Sequence, residues 1–88
     1  MDSDSQHSDP VEALVARVQR TALPPPAERA RIRASVGVSL RDLAVVLNVS
    51  ATTIQGWERG TTTPRAHHAE AYADALHRLR RASDAAAG

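Results

Sequence analysis

The sequence contains no cysteine, no lysine and no phenylalanine, and its only aromatic residues are Trp57 and Tyr72. The absence of cysteine excludes disulfide bonds and thiolate metal sites. With so few aromatic residues, the core must be built mainly from leucine, valine, isoleucine and alanine. No apolar run reaches 18 residues and no signal-peptide pattern is visible, so we expect a cytoplasmic protein rather than a secreted or membrane protein.

The sequence also lacks the residue sets that common catalytic mechanisms use. It has no paired carboxylates in a plausible cleft, no Ser/His/Asp set and no glycine-rich phosphate loop. His67, His68 and His77 have neither cysteine nor a carboxylate at a matched spacing, whereas a zinc site needs three or four convergent ligands. We therefore expect no enzymatic activity, no cofactor and no metal site.

Length and charge fit one small domain that can approach nucleic acid. Eighty-eight residues allow a single small domain. The formal net charge is only +1, but Asp2, Asp4 and Asp9 lie in the leader, so the remainder is more basic than the total indicates. All eleven basic residues are arginine. Arginine suits bidentate contacts with phosphate and guanine, but a high-GC coding sequence would also exclude lysine, and both explanations stay open.

Residues 39–60 have the pattern of two short helices joined by a tight turn. A Ser-x-x-Asp capping box at Ser39 and Asp42 predicts that the first helix begins there. Asn48 tolerates the left-handed backbone that a sharp turn needs, Ser50 is a second N-cap, and Gly60 closes the unit. The apolar residues of the first helix follow at helical spacing: Leu40, Leu43, Ala44 and Leu47.

The second helix of this unit has two different faces. At about 100° per residue, Ile54 and Trp57 fall on one side and predict the buried face. The opposite side is small, polar and basic, and consists of Thr52, Gln55, Gly56 and Arg59. Such a face suits the major groove of DNA. An ordinary amphipathic surface helix is the alternative.

The chain resembles the phage repressor and Cro-like (XRE-type) helix-turn-helix family from about residue 29 to residue 76. The segments that carry the resemblance are Val38-Ser39-Leu40-Arg41-Asp42-Leu43-Ala44, Val49-Ser50, Ile54, Trp57-Glu58-Arg59-Gly60 and Pro64. The resemblance implies an all-α, five-helix repressor-like domain that binds double-stranded operator DNA, usually as a homodimer. It further implies a nucleoid-associated transcription regulator, either a repressor or a control protein of a phage, plasmid or other mobile element.

On this basis we divide the chain into four segments. Residues 1–8 are polar and predict a disordered leader, and residues 9–23 hold an extra N-terminal helix at about 10–22. A stiff proline-rich connector follows and leads into the helix-turn-helix domain, residues 24–82. Within that domain further helices are expected at about 26–36 and 64–81. Residues 83–88 are expected to be a frayed tail.

The extra N-terminal helix carries one apolar stripe, formed by Val11, Leu14, Val15 and Val18. Such a stripe requires burial, but the pattern does not name its partner. The stripe packs either on its own domain, for instance against the last helix, or on a second subunit as a dimer contact.

The candidate DNA-contacting residues fall into two groups. The residues expected to read base edges are Ala51, Thr52, Gln55 and Gly56. The residues expected to contact phosphates are Arg33, Arg41, Ser50, Thr53, Arg59, Thr61, Thr62 and Arg65. A hydroxyl-rich segment such as Thr61–Thr63 is competent to bind phosphate but is equally typical of an ordinary loop.

The resemblance also implies an ion pair between Arg33 and Glu58 that presents the arginine near a phosphate. Two independent surface charges are the alternative. The sequence departs from the family at Leu40, where glutamine is common, and at Gly56, where a long polar residue is common. Neither residue can supply a side-chain hydrogen bond, so Gly56 either permits close approach to the bases or marks a lightly used position.

Two functions remain open for this fold. The first is a sequence-specific regulator that binds an inverted repeat of DNA as a dimer. The second is a protein-interaction module, for instance an antitoxin-like protein that holds a partner. Antitoxins often carry a disordered extension that folds on the partner, whereas this sequence has a short acidic leader and almost no tail, so the regulator is favoured.

Overall fold

The computed structural model describes residues 9–87, apart from the side chains of residues 19–21 and 87. Within that range the chain is all-α and has no strand, as the sequence predicts. None of these helices is both long and apolar enough to cross a lipid bilayer. The predicted disordered leader, residues 1–8, lies outside the described residues. The helices are α1 (Pro10–Thr21), α2 (Pro26–Ser35), α3 (Leu40–Leu47), α4 (Ala51–Arg59) and α5 (Ala66–Ala87).

Hydrogen-bonded caps set the ends of α3 and α4. The Ser39 hydroxyl accepts the Asp42 backbone N–H at 2.9 Å, and the Asp42 carboxylate accepts the Ser39 backbone N–H at 3.0 Å. Asn48 then takes the left-handed conformation (φ 57°, ψ 47°) and turns the chain. The Ser50 hydroxyl caps α4, and Gly60 ends it in a left-handed conformation. The predicted capping box and the predicted helix, turn and helix are confirmed.

The core lies where α3, α4 and α5 meet, and α2 contributes Ile32 to it. Ile54 and Tyr72 are fully buried, and the Trp57 ring lies 4.9 Å from the Tyr72 ring with a tilt of 39°. This is a favourable geometry for an aromatic pair. Because Ile54 and Trp57 both point inward, the opposite face of α4 is turned to solvent. The other buried apolar residues are Leu43, Ala44, Leu47, Ala73 and Leu76.

Helix α1 lies against α5, and its apolar stripe is covered only in part. Val11, Leu14, Val15 and Val18 remain between 46% and 65% exposed. On the opposite side of the helix, Ala16 is half-buried. The described residues of the domain therefore cover the stripe only in part, and both sequence-based alternatives for its partner stay open.

The last helix differs from the prediction at both ends. It begins at Ala66 rather than Pro64, because Pro64 is buried in the preceding loop and the first helical acceptor is the Arg65 carbonyl, which receives the Ala69 N–H at 2.7 Å. It continues to Ala87 instead of fraying after residue 82. The reason is local, since residues 82–87 include four alanines, the strongest helix former, and neither glycine nor proline.

Candidate nucleic-acid interface

The solvent-facing side of α4 carries the side chains predicted to read bases. Thr52 is exposed, and Ala51 and Gln55 are half-buried. They lie on the face opposite Ile54 and Trp57, which anchor the helix in the core. The helix therefore presents one hydroxyl and one amide, which together offer both donors and acceptors to an approaching groove.

Gly56 is the point where the following loop crosses α4. Its carbonyl accepts the Thr61 backbone N–H at 3.0 Å and the Thr61 hydroxyl at 3.2 Å. A Cβ at position 56 would lie 2.6 Å from Thr62 Oγ1 and 3.4 Å from Thr61 Oγ1. Any side chain there would displace Thr62. Packing of the loop against α4 is thus a reason for glycine at position 56 that neither sequence-based explanation included. The role of Gly56 in base reading stays a prediction.

An open groove of about 630 Å³ separates α4 from this loop and from the start of α5. His67 and His68 line it, and the His68 ring lies 5.9 Å from the Trp57 ring. The sequence offered no sign that these histidines lie beside the candidate interface. The groove is also lined by residues of the predicted contact set: Thr52, Thr53, Gly56, Thr61, Thr62 and Arg65.

Arg33 and Glu58 form a two-pronged ion pair between α2 and the end of α4. Arg33 Nε donates to Glu58 Oε2 at 2.6 Å and Arg33 Nη2 donates to Glu58 Oε1 at 2.9 Å. Arg33 Nη1 donates to the Val38 carbonyl at 2.8 Å. The two side chains are 16% and 8% exposed. The hydrogen bond to Glu58 raises the pKa of Arg33. The pair joins α4 to α2.

The other side chains predicted to contact phosphates differ in whether they already form hydrogen bonds within the protein. Arg41, Arg59 and Arg65 are exposed, and within residues 9–87 their side chains form no hydrogen bond or ion pair. By contrast, the Ser50 hydroxyl accepts the Thr53 backbone N–H and lies 2.8 Å from Thr53 Oγ1. Both of those hydroxyls are therefore engaged in capping α4. Among the predicted phosphate-contacting residues, the exposed Arg41, Arg59 and Arg65 are the ones that offer positive charge without a partner in the described chain.

The comparison with protein families fits this geometry. The model of a helix-turn-helix family matches residues 30–79, more than half of the chain. The chain belongs to this helix-turn-helix family. The matched family is the XRE type, related to the Cro and repressor proteins, as the motif residues predict. A comparison with curated proteins and one with solved structures found no match.

This helix-turn-helix domain has a further positioning residue that sequence reasoning missed. Arg29 Nε donates to the Pro24 carbonyl at 2.7 Å, and Arg29 Nη1 donates to the Trp57 carbonyl at 3.1 Å. Its guanidinium carbon lies 5.8 Å from the centre of the Tyr72 ring. One side chain thus joins the connector, the end of helix α4 and helix α5. Contacts between a side chain and distant carbonyls leave no periodic signal in a sequence.

The centre of the helix-turn-helix domain holds one unusual polar group. The Tyr72 hydroxyl is buried and has no hydrogen-bond partner among the described residues. Burial, more than the nearby charge of Glu58, raises the pKa of Tyr72 to about 12. The tyrosine is therefore neutral at physiological pH and serves the core through its ring. Within residues 9–87, no three histidine, cysteine or acidic side chains come together as metal ligands would.

Proposed function

We propose that this helix-turn-helix protein is a sequence-specific transcriptional regulator that binds double-stranded DNA. In this proposal two copies bind an inverted repeat as a dimeric repressor or control protein, and each inserts α4 into the major groove. The observation that carries the proposal is the geometry of α4. The helix is capped at Ser50 and anchored in the core by Ile54 and Trp57, and its outer face carries the exposed Thr52 and the half-buried Gln55.

The proposed mechanism separates positioning from reading. Arg41, Arg59 and Arg65 bind phosphates together with the loop hydroxyls and the amides at the helix N-termini. Thr52 and Gln55 hydrogen-bond base edges, and Ala51 offers an apolar contact to a thymine methyl. Arg33 directs most of its donors to protein acceptors, so its main contribution is to hold α4 in place and only its remaining N–H groups are available to a phosphate.

The same proposal also concerns the cellular location of the protein and whether it is an enzyme. A regulator of this kind acts in the cytoplasm, associated with the nucleoid, and has no catalytic role. The family that matches the chain is a family of DNA-binding regulators, which supports this assignment.

The first prediction distinguishes contacts to bases from contacts to phosphates. Thr52→Ala and Gln55→Ala should each reduce the preference for the selected site over random DNA by about 1–3 kcal/mol, because each removes a base contact. Arg59→Ala should weaken binding to all sequences alike and lower the salt slope by about 1, because it removes a phosphate contact. Fluorescence anisotropy over a range of salt concentrations measures both quantities.

Arg81→Ala is the matched control, since it removes the same charge near the far end of α5. It should change neither the preference nor the salt slope. If Thr52→Ala and Gln55→Ala leave the preference unchanged while the variants remain folded, α4 does not read the bases and this part of the proposal is wrong.

The second candidate function is the protein-interaction module. The partly exposed apolar stripe of α1 favours it, because contiguous exposed apolar surfaces mark interaction sites. A folded protein that shifts no DNA fragment at low salt, and whose affinity does not depend on salt, would favour this candidate over the regulator.

A further inference from the structure

Two histidines at the start of α5 lie beside α4, and the proposed function gives them no role. His67 is exposed and His68 is half-buried. Both line the open groove of about 630 Å³ between α4 and the start of α5, here called the α4–α5 groove, which Thr52 and Gly56 also line. Within residues 9–87 neither imidazole forms a hydrogen bond or an ion pair. Their nitrogens are therefore free to bind a ligand that lies along the outer face of α4.

The α4–α5 groove faces the DNA backbone when α4 occupies the major groove. The major groove is about 12 Å wide, and a helix with its side chains has a diameter of about 10–12 Å. A helix of that size fills the major groove, so the protein surface on either side of it meets the phosphates that border the major groove. The start of α5 belongs to such a flank, because it lines the same groove as Thr52.

A row of aromatic rings holds the two imidazoles beside α4. The His67 and His68 ring centres are 4.1 Å apart, and the His68 ring lies 5.9 Å from the Trp57 ring. Trp57 in turn lies 4.9 Å from the buried Tyr72 ring. The row thus extends from the core to the α4–α5 groove, and ring contacts of this kind favour particular relative orientations. The histidines are therefore positioned by the core.

The charges around the pair favour an anion as the ligand. Histidine is the side chain that ordinarily changes its charge between pH 5 and pH 8. Of the described residues that line the α4–α5 groove, only Arg65 has a permanent charge, and those from α4 are uncharged. On α5 itself, the exposed Glu70 follows His67 by three residues, and Tyr72 is neutral at physiological pH. Arg65 and two imidazolium rings 4.1 Å apart would repel one another, and a phosphate in the groove offsets this repulsion.

We propose that His67 and His68 form a proton-dependent contact with the DNA backbone, in which a protonated imidazole donates to a phosphate oxygen. The proposal rests on the proposed function, because it needs α4 in the major groove. A protonated imidazole donates from both nitrogens, and hydrogen bonds between charged groups are stronger than neutral ones. Because the protonated form is the one that binds, DNA binding takes up a proton. The affinity rises as the pH falls and declines as the pH rises.

The pH dependence of binding to the DNA site enriched by in vitro selection tests this contact. Fluorescence anisotropy at pH 5.5 and pH 8 in about 0.1 M salt should show binding about tenfold tighter at pH 5.5, since one added phosphate contact contributes roughly that factor. The salt slope should be steeper at pH 5.5 by about 1. His67→Gln/His68→Gln keeps polar side chains that cannot take up a proton. It should bind equally at both pH values, with the affinity of the wild type at pH 8.

His77→Gln and His7→Gln are the matched controls. His77 lies on α5 but does not line the α4–α5 groove, and His7 lies outside the described residues. Each variant should keep the pH dependence of the wild type. His67→Arg carries a charge that persists at pH 8, so at that pH it should bind about as tightly as the wild type does at pH 5.5. Circular dichroism at both pH values verifies that every variant is folded.

The outcomes separate this proposal from the proposed function. If the chain binds its enriched site but the double variant keeps the pH dependence of the wild type, the regulator proposal stands and the histidine contact is wrong. The histidine contact is also wrong if His77→Gln or His7→Gln alone abolishes the pH dependence, or if His67→Arg binds no more tightly than the wild type at pH 8. If no site is enriched and no DNA binds at either pH, both proposals fail.

Discussion

Arg33 illustrates how a single residue can hold the helix of a candidate DNA-binding surface in place. Its guanidinium engages Glu58 through two nitrogens and the Val38 carbonyl through the third. Because planar, two-pronged pairing matches the fork of arginine, lysine could not replace it without losing contacts. The position of α4 therefore depends on a pair of charges that belong to α2 and to α4 itself.

This pair should be strongly coupled. Arg33→Met and Glu58→Gln should each reduce the free energy of unfolding by roughly 3 kcal/mol, since each leaves a largely buried charge without its partner. A double-mutant cycle, measured by denaturant unfolding, should give a coupling energy well above 1 kcal/mol.

The exposed pair Arg78–Asp74, four residues apart on α5, is the internal control for this cycle. Its coupling should be about 0.3–0.5 kcal/mol, the value of an exposed helix pair. If the two cycles gave the same coupling energy, the Arg33–Glu58 pair would be only a surface contact.

Asp42 gives the start of α3 a defined pH dependence. The backbone N–H of Ser39 donates to its carboxylate and lowers the pKa of Asp42 below its usual value near 3.8. A carboxylate whose pKa is lowered by folding stabilises the folded state at pH values above its unfolded pKa, and this contribution is lost as the pH falls through the folded pKa.

The stability difference between the wild type and Asp42→Ala should accordingly be full at neutral pH and should shrink as the pH drops below about 4. Thermal unfolding at pH 7 and pH 3 measures it. Asp74→Ala is a control, because the pair that Asp74 forms with Arg78 is largely solvent-exposed. If the stability difference between the wild type and Asp42→Ala stayed constant with pH, the charge of Asp42 would not contribute to the capping box.

At the scale of the helices, the ends of α3 and α4 were the most predictable features. Ser39, Asn48, Ser50 and Gly60 each act through neighbours within a few residues, so their chemistry is readable in the sequence. The same holds for the inward direction of Ile54 and Trp57, which follows from helical periodicity. Local signals thus define the candidate recognition helix and the face that it exposes.

Features that depend on distant parts of the chain could not be predicted in this way. The loop packs Thr62 against Gly56, and Arg29 reaches two carbonyls from opposite parts of the domain. The exposure of the α1 stripe depends on how α1 is set against α5, which periodicity does not specify. The extension of α5 to Ala87 is different, since the alanine content of residues 82–87 favours a helix there and the prediction of a frayed tail gave it too little weight.

Arg29 leads to a prediction about how the helices are held together. Arg29→Met keeps most of the aliphatic stem but removes the hydrogen bonds to the Pro24 and Trp57 carbonyls. The free energy of unfolding should fall by about 1–3 kcal/mol, as measured by denaturant unfolding.

Arg31→Met is the matched control for this prediction. Arg31 lies on the same helix, is exposed, and forms no side-chain hydrogen bond within the described part of the chain. It should change stability by no more than about 0.5 kcal/mol. Equal effects of the two substitutions would mean that the Arg29 hydrogen bonds do not stabilise the domain.

At the scale of the whole molecule, the chain presents two surfaces of different chemistry. One surface consists of the outward side of α4, the threonine loop and the arginines Arg41, Arg59 and Arg65, and it is polar and basic. The other is the apolar stripe of α1, which carries no charge. The two surfaces share no residue, so substitutions in one are expected to leave the other intact.

The most direct test of the central claim is in vitro selection of bound DNA from a random pool, followed by sequencing. The account predicts enrichment of an inverted repeat whose half-sites are centred about 10–10.5 base pairs apart, one helical turn, or a multiple of it. The Thr52→Ala and Gln55→Ala variants should yield the same spacing with a degenerate position in each half-site. Enrichment of a single asymmetric site would contradict the dimeric arrangement, and the absence of any enriched sequence would contradict sequence-specific DNA binding.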